Sequence, residues 1–208
     1  MQITLPPGDF AGFIFDLDGT LVDSMPVHYR AWDAAMRRAG MQGTLDEDYF
    51  YALGGVPTRG VAELFAKRYG LMVDPDHVTD MKEALYLEYM TGLKVIEPVA
   101  EIARKAVGRH PIAIATGGTP EVAYPSLDAT GLRALFSIVV TPLDVAPGRG
   151  KPAPDMFLLA AERMGVAAER CLVFEDAEPG IQAARAAGMQ FVRVPSRLSR
   201  GTETRTAT

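Results

Sequence analysis

Five short apolar runs constrain this chain more than any other feature. They cover residues 12–15 (GFIF), 111–116 (PIAIAT), 137–141 (SIVVT), 171–175 (CLVFE) and 190–194 (QFVRV). Runs this short, bounded by turn residues, predict buried strands. Between the later ones, apolar residues recur at helical spacing over 99–107, 120–129, 154–164 and 179–187, with Phe157, Leu158, Ala161 and Met164 marking the third of these. Gly131, Gly165 and Gly188 follow three of those stretches, where a left-handed helix C-cap is expected. Strands alternating with helices predict an α/β fold with a parallel sheet covered on both faces.

One stretch interrupts the alternation. Residues 21–93 hold no convincing strand, and their pattern predicts helices over 27–39, 46–53, 58–69 and 75–90. Trp32, Met36, Leu64, Phe65, Leu85 and Leu87 are the expected core residues of these helices. The reading is a helical domain, 21–93, inserted into an α/β core formed by 1–20 and 94–208. Residues 196–208 are polar and are expected to form a frayed tail.

Composition narrows the function classes. Hydrophobic residues make up 48% and charged residues 23%, which excludes disorder along the whole chain. A net charge of -5 argues against a duplex nucleic-acid partner. No apolar run approaches the roughly 18 residues of a membrane span. The first residues carry no basic segment followed by an apolar one, so a secretory signal is not expected and the cytoplasm is the default compartment. The single cysteine, Cys171, excludes an internal disulfide framework and is expected to be a buried, reduced thiol. No coiled-coil pattern suggests an oligomer, so a monomer is expected.

The chemistry concentrates at the ends of the predicted strands. The first ends in Asp16-Leu17-Asp18-Gly19-Thr20, the second in Thr116-Gly117-Gly118 and the fourth in Glu175-Asp176, while Lys151 follows the third. In an open parallel sheet, ligands bind beyond the carboxyl ends of the strands, so these clusters converge. Asp16, Asp18, Glu175 and Asp176 cannot all stay ionised at one site without a counter-charge. An oxygen-only ligand set fits a hard divalent cation, with magnesium favoured. Lys151 adds a positive charge, Thr116 a hydroxyl, and Gly117 and Gly118 backbone amides at the start of the next helix. Together they describe a phosphate site. One carboxylate can attack phosphorus, and the second, two residues on, can move a proton. Gly19 lets the chain turn sharply out of the strand.

With these motifs in this order, the chain resembles the haloacid dehalogenase superfamily of phosphohydrolases. The resemblance rests on residues 16–24 (DLDGTLVDS), Thr116-Gly117, Lys151-Pro152-Ala153-Pro154-Asp155, Glu175-Asp176, Gly180-Ile181 and the run from Ala183 to Met189. It extends over nearly the whole chain and is similar to the helical-cap branch with beta-phosphoglucomutase-like and fructose-1-phosphate phosphatase-like members. The implied fold is a Rossmann-like core with an inserted cap. Asp16 is then the implied nucleophile and Asp18 the acid and base. Thr116 and Gly117 bind the phosphate, Lys151 neutralises developing charge, and Asp16, the Asp18 carbonyl, Glu175 and Asp176 hold magnesium. Among cap residues, His28 is expected either to orient the acid carboxylate or to sit partly buried on a helix face, Arg59 either to enter the site or to lie at the surface, and Lys82 to be a candidate for reaching substrate oxygens. His77 and His110 are expected at the surface, Asp23 in a turn or near the site, and Asp155 as a helix cap.

The expected activity is magnesium-dependent hydrolysis of a small phosphorylated metabolite, a sugar phosphate above all, through an aspartyl-phosphate. A phosphosugar mutase is the alternative, but that group commonly carries Val where this chain has Thr20, and a Lys near Gly54. Dehalogenation is disfavoured because those enzymes lack the second carboxylate, here Asp18. A receiver-type binding module is disfavoured by the insert of about 70 residues.

Overall fold

The computed structural model describes residues 3–195, so the polar tail lies outside the described residues. The chain runs β1 (Gly12–Phe15), α1 (Met25–Arg38), α2 (Glu47–Ala52), α3 (Thr58–Tyr69), α4 (Pro75–Tyr89), α5 (Glu97–Ala106), β2 (Ile112–Ala115), α6 (Pro120–Ala129), β3 (Val139–Val140), α7 (Asp155–Met164), β4 (Cys171–Glu175), α8 (Glu178–Ala186) and β5 (Gln190–Arg193). The strands form one sheet in the order β3-β2-β1-β4-β5, and every neighbouring pair is parallel. The order reverses at β1, between β2 and β4. That is the switch point at which such sheets place a ligand.

Strand side chains alternate between two buried layers, as the two-residue period requires. Phe13, Phe15, Ile112, Ile114, Leu172 and Phe174 face α5 and α6, through Val99, Ala103, Ala123 and Leu127. Phe15 stacks on Phe174 with ring centres 4.7 Å apart. Ile14, Ala113, Ala115, Cys171 and Val173 face α7 and α8, through Met156, Phe157, Ala160, Ala183 and Ala184. Each fully buried aromatic or aliphatic side chain contributes about 1.5–3 kcal/mol of transfer free energy. The three glycines expected after helices all adopt positive φ, 69° at Gly131, 67° at Gly165 and 72° at Gly188.

β3 is shorter than its apolar run, with only Val139 and Val140 in the ladder. Thr141 leaves the strand because its N–H and hydroxyl both donate to Asp144 Oδ2, at 2.8 and 2.9 Å. Leu158 and Leu87 depart from their expected burial, at 41% and 38% exposed. On α7 the inward stripe is Phe157, Ala160, Ala161 and Met164; on α4 it is Val78, Lys82, Leu85 and Tyr86. At 3.6 residues per turn, Leu158 and Leu87 fall off those stripes.

Helices α1–α4 form the inserted cap. They bury a separate cluster that includes Trp32, Met36, Phe50, Phe65, Leu85 and Tyr86, whereas Leu64, expected in that core, is only half-buried. Two of these helices start on aspartates: Asp46 accepts the Tyr49 N–H at 3.0 Å, and Asp74 accepts the Asp76 N–H at 3.0 Å. The two connectors to the core run side by side, through Asp23 N–H to Lys94 O at 2.9 Å and Ile96 N–H to Leu21 O at 2.8 Å. The cap also touches the core through its own residues. Val122 of α6 packs into the cap cluster, and Gly55 lies against Pro179, so close that a Cβ there would stand 2.6 Å from the proline ring.

Candidate active site

The carboxyl ends of β1, β2 and β4 meet as the alternation of strands and helices predicts. Gly19 takes φ +86° just after β1, and its N–H donates to Val22 O at 2.8 Å, which closes the turn. Only glycine fits there for a second reason: a Cβ would stand 2.5 Å from Asp176 Oδ2. Asp16 lies at the floor of the site. Lys151 Nζ donates to Asp16 Oδ1 at 2.6 Å and to Glu175 Oε2 at 2.7 Å, and all three side chains are buried. The other oxygen of Glu175 accepts the Ala177 N–H at 3.0 Å. Asp176 Oδ1 accepts the Thr20 hydroxyl at 3.1 Å.

Carboxylate oxygens from Asp16, Glu175 and Asp176 lie within 4.8 Å of one another. Burial, reinforced by the charge of Glu175, raises the Asp16 carboxyl well above its ordinary range, despite Lys151. The same two causes push Asp176 up to about 7. Lys151 holds its proton more firmly than usual, because Asp16 and Glu175 outweigh its burial. One ammonium therefore faces three carboxylates, and the cluster carries uncompensated negative charge once Asp16 and Asp176 lose their protons. These oxygen donors fit a hard cation.

Asp18 faces different partners. Ser24 donates to Asp18 Oδ1 at 2.6 Å, and His28 Nε2 lies 3.3 Å from the same oxygen. Burial alone would raise the Asp18 carboxyl, but the hydrogen bond and charge of His28 and the Ser24 hydroxyl bring it below the usual range. Burial, helped by the charge of Lys82, lowers the His28 imidazole. His28 stacks on Tyr86 with ring centres 4.1 Å apart. Lys82 is 3% exposed, lies over the Trp32 and Tyr86 rings at 5.7 and 5.5 Å, and pairs with Glu83 at 3.2 Å.

The loop after β2 completes the enclosure. Thr116 is fully buried, and its Oγ1 accepts the Gly118 N–H at 3.1 Å, which leaves its own proton available for an anion. Gly117 is exposed at the mouth. A Cβ at Gly118 would stand 3.5 Å from Asp18 Oδ2, so this loop abuts the second carboxylate. Helix α6 then starts at Pro120, two residues later than the amides assigned to it.

Of the two places expected for Arg59, the structure shows the surface one. It lies on an exposed face of α3, where its Nε donates to Asp76 at 2.8 Å and a second nitrogen pairs with Glu63. Two carboxylates of the cap hold it, so it is not brought to Asp16 or Asp18. Asp155 is no cap: α7 begins at Asp155 with Pro154 before it, and the carboxylate accepts from Arg149 Nε at 2.8 Å. Asp23 is exposed and belongs to the paired connectors. His77 and His110 are exposed, as expected. Cys171 is buried, and its thiol is pushed up to about 11 by that burial, so it is inert.

Two residues of the site escaped the sequence reading. Ser24 occupies the N-cap position of α1, where a serine ordinarily caps the helix, yet it makes no capping bond and donates to Asp18 instead. Tyr86 reads as a core aromatic, and no sequence signal distinguishes it from one.

The geometry defines a class. A model of the haloacid dehalogenase-like hydrolases matches residues 10–188, and the chain belongs to that family. Fructose-1-phosphate phosphatase YqaB of Escherichia coli K12 is 40% identical over 186 residues, covering 89% of this chain and 96% of its own length. Hexitol phosphatase A of the same organism is 34% identical over 184 residues, covering 88% and 82%. Among solved structures, CbbY of Rhodobacter sphaeroides in complex with phosphate has a TM-score of 0.81 at 22% identity, covering 92% of this chain and 88% of that one. That last likeness concerns the fold. By class the chain is a phosphoric monoester hydrolase. Among the described residues no helix is long and apolar enough to cross a membrane.

Proposed function

We propose that this chain hydrolyses phosphate monoesters of small sugars or sugar alcohols, with magnesium and through an aspartyl-phosphate on Asp16. The carrying observation is the division of labour between two carboxylates on one turn. Asp16 is gripped by Lys151 among the metal-binding oxygens, while Asp18 is held by Ser24 and His28. The relatives named as sugar and hexitol phosphatases support the substrate class.

An Asp16 oxygen attacks phosphorus as the P–O bond to the leaving alkoxide breaks, and Asp18 gives that alkoxide its proton. Asp18 is ionised at rest. The negative phosphate arriving beside it raises its proton affinity and loads it as an acid. Water then attacks phosphorus, Asp18 takes the proton, and phosphate leaves with Asp16 restored. Thr116, the Gly117 amide and Lys151 hold the non-bridging oxygens. Asp16, Asp176, Glu175 and the Asp18 carbonyl would hold magnesium, which when bound supplies positive charge to the phosphoryl group. Residues 21–93 act as the cap, excluding water while the acid is loaded. Arg59 can reach substrate only by breaking its pairs with Asp76 and Glu63.

A panel of sugar phosphates, hexitol phosphates and para-nitrophenyl phosphate, assayed with and without magnesium, tests the reading. Magnesium-dependent release of free phosphate is expected, and Asp16→Asn abolishes it. No release from any of them would sink the reading. Conversion of a hexose 1-phosphate to its 6-phosphate without free phosphate would favour the mutase alternative.

A further inference from the structure

Asp176 is held differently from the other two carboxylates of the cluster. Lys151 Nζ donates to Asp16 Oδ1 at 2.6 Å and to Glu175 Oε2 at 2.7 Å, and the Ala177 N–H donates to Glu175 Oε1 at 3.0 Å. Asp176 shares none of these donors. Among the described residues one side chain donates to it: Thr20, whose Oγ1 lies 3.1 Å from Asp176 Oδ1. The bond joins the turn after β1 to the residue that follows β4, 156 positions further along the chain.

The hydroxyl of Thr20 has no second task. Thr20 is fully buried, so in this structure it meets neither water nor substrate. A hydroxyl carries one proton and an ionised carboxylate only accepts, so Thr20 is the donor whenever Asp176 is charged. Packing alone would be served by an apolar side chain of the same shape, with no hydroxyl to desolvate. The other oxygen of Asp176 is placed by the neighbouring residue. Gly19 passes so close that a Cβ there would stand 2.5 Å from Asp176 Oδ2. One oxygen is thus bonded and the other confined, by adjacent residues of the turn that also carries Asp16. Asp16, Glu175 and Asp176 offer carboxylate oxygens within 4.8 Å of one another, so the orientation of Asp176 decides how well the three converge.

We propose that Thr20 is a positioning residue for the divalent cation: its hydroxyl fixes the Asp176 carboxylate toward Asp16 and Glu175, and so sets the affinity for the ion without touching substrate. This rests on the magnesium reading above and adds a residue that tunes it. Groups that orient a metal ligand from outside the coordination sphere typically govern metal affinity by about 10–100-fold.

The test is a magnesium titration of the whole protein without substrate, at constant ionic strength, read as the rise in melting temperature with ion concentration. Thr20→Val keeps the side chain's shape and removes the hydroxyl, whereas Thr20→Ser keeps the hydroxyl and removes a methyl. The Kd for magnesium is expected to rise roughly 10–100-fold in Thr20→Val and to stay close to wild type in Thr20→Ser. With para-nitrophenyl phosphate, the magnesium concentration for half-maximal rate moves with that Kd, while KM for the ester is kept. Wild-type affinity in Thr20→Val overturns the proposal. Equal weakening in Thr20→Ser also overturns it, because the hydroxyl would then not be the cause. Should Thr20→Val not fold, Thr20→Ala is compared with Thr20→Ser: weakening is expected in the alanine variant alone, and equal affinities overturn the proposal. A wild-type protein that binds no magnesium overturns the cation reading together with this inference, whereas unchanged binding in Thr20→Val overturns the inference and leaves that reading standing.

Discussion

The Tyr86 hydroxyl lies 2.9 Å from the Ser126 hydroxyl, in a buried contact that joins cap helix α4 to core helix α6. Ser126 has one proton, and it goes to Val122 O at 2.8 Å. Tyr86 is therefore the donor. The same ring that reaches across to the core carries His28 on its face, and His28 touches Asp18. Seating of the cap on α6 and placement of the Asp18 carboxylate thus share one side chain.

That donor assignment gives the two partners unequal weight. Tyr86→Phe leaves Ser126 still bonded to Val122 and costs about 0.5–1.5 kcal/mol. Ser126→Ala leaves the Tyr86 hydroxyl buried and unpaired and costs about 1–3 kcal/mol. Urea titration of both variants is expected to show Ser126→Ala as the less stable. The reverse order would mean that Ser126 donates to Tyr86.

Ser24 is expected to tune the acid. Its short bond stabilises ionised Asp18. Without it the Asp18 carboxyl rises toward its ordinary value, so Ser24→Ala moves to higher pH whichever limb of the kcat profile Asp18 sets. A loss of about tenfold in kcat accompanies the shift, within the range of general acid–base effects. A lower kcat on an unmoved profile would reduce Ser24 to a packing role.

Gly180 underlies Glu175. A Cβ there would stand 2.0 Å from Glu175 Oε2, the atom that holds Lys151. Gly180→Ala must displace that carboxylate and with it the lysine. Displacement of about 1 Å near the chemistry costs on the order of 10²-fold in rate. The steady-state rate of Gly180→Ala is expected to fall by that order, with the fold kept by circular dichroism. Full activity would show that Glu175 can relocate freely.

The carboxylates that could hold a metal ion set a pH dependence. Without cation, Asp176 keeps its proton up to about 7, and Asp16 shifts the same way. The folded chain then binds more protons than the unfolded one between the ordinary carboxylate range and about 7. This stability is present at acid pH and is lost as pH rises through about 7. Under the proposed function, magnesium bound there would compete with those protons and relieve the repulsion that follows their loss. The melting temperature is therefore expected to rise more on adding magnesium at about pH 8 than at about pH 6. Equal gains at both would place the ion away from Asp16 and Asp176.

The amino-acid sequence by itself determined the sheet, the insert and the core of the site. Short apolar runs bounded by turns predict buried strands, helical spacing between them predicts crossovers, and parallel topology sends every strand end to one edge. Asp16, Asp18, Thr116, Lys151, Glu175 and Asp176 needed nothing more to be brought together. Tertiary structure alone decided what surrounds them. Arg59 and Lys82 are both basic residues of cap helices; packing buried Lys82 against Trp32 and Tyr86, while Asp76 and Glu63 held Arg59 at the surface. Nothing in the local sequence assigns Ser24 to Asp18 or Tyr86 to Ser126, because local pattern carries no information about which distant carboxylate or hydroxyl a side chain will meet. Those partners lie in other elements, and only the docking of the cap on the sheet brings them within hydrogen-bond reach.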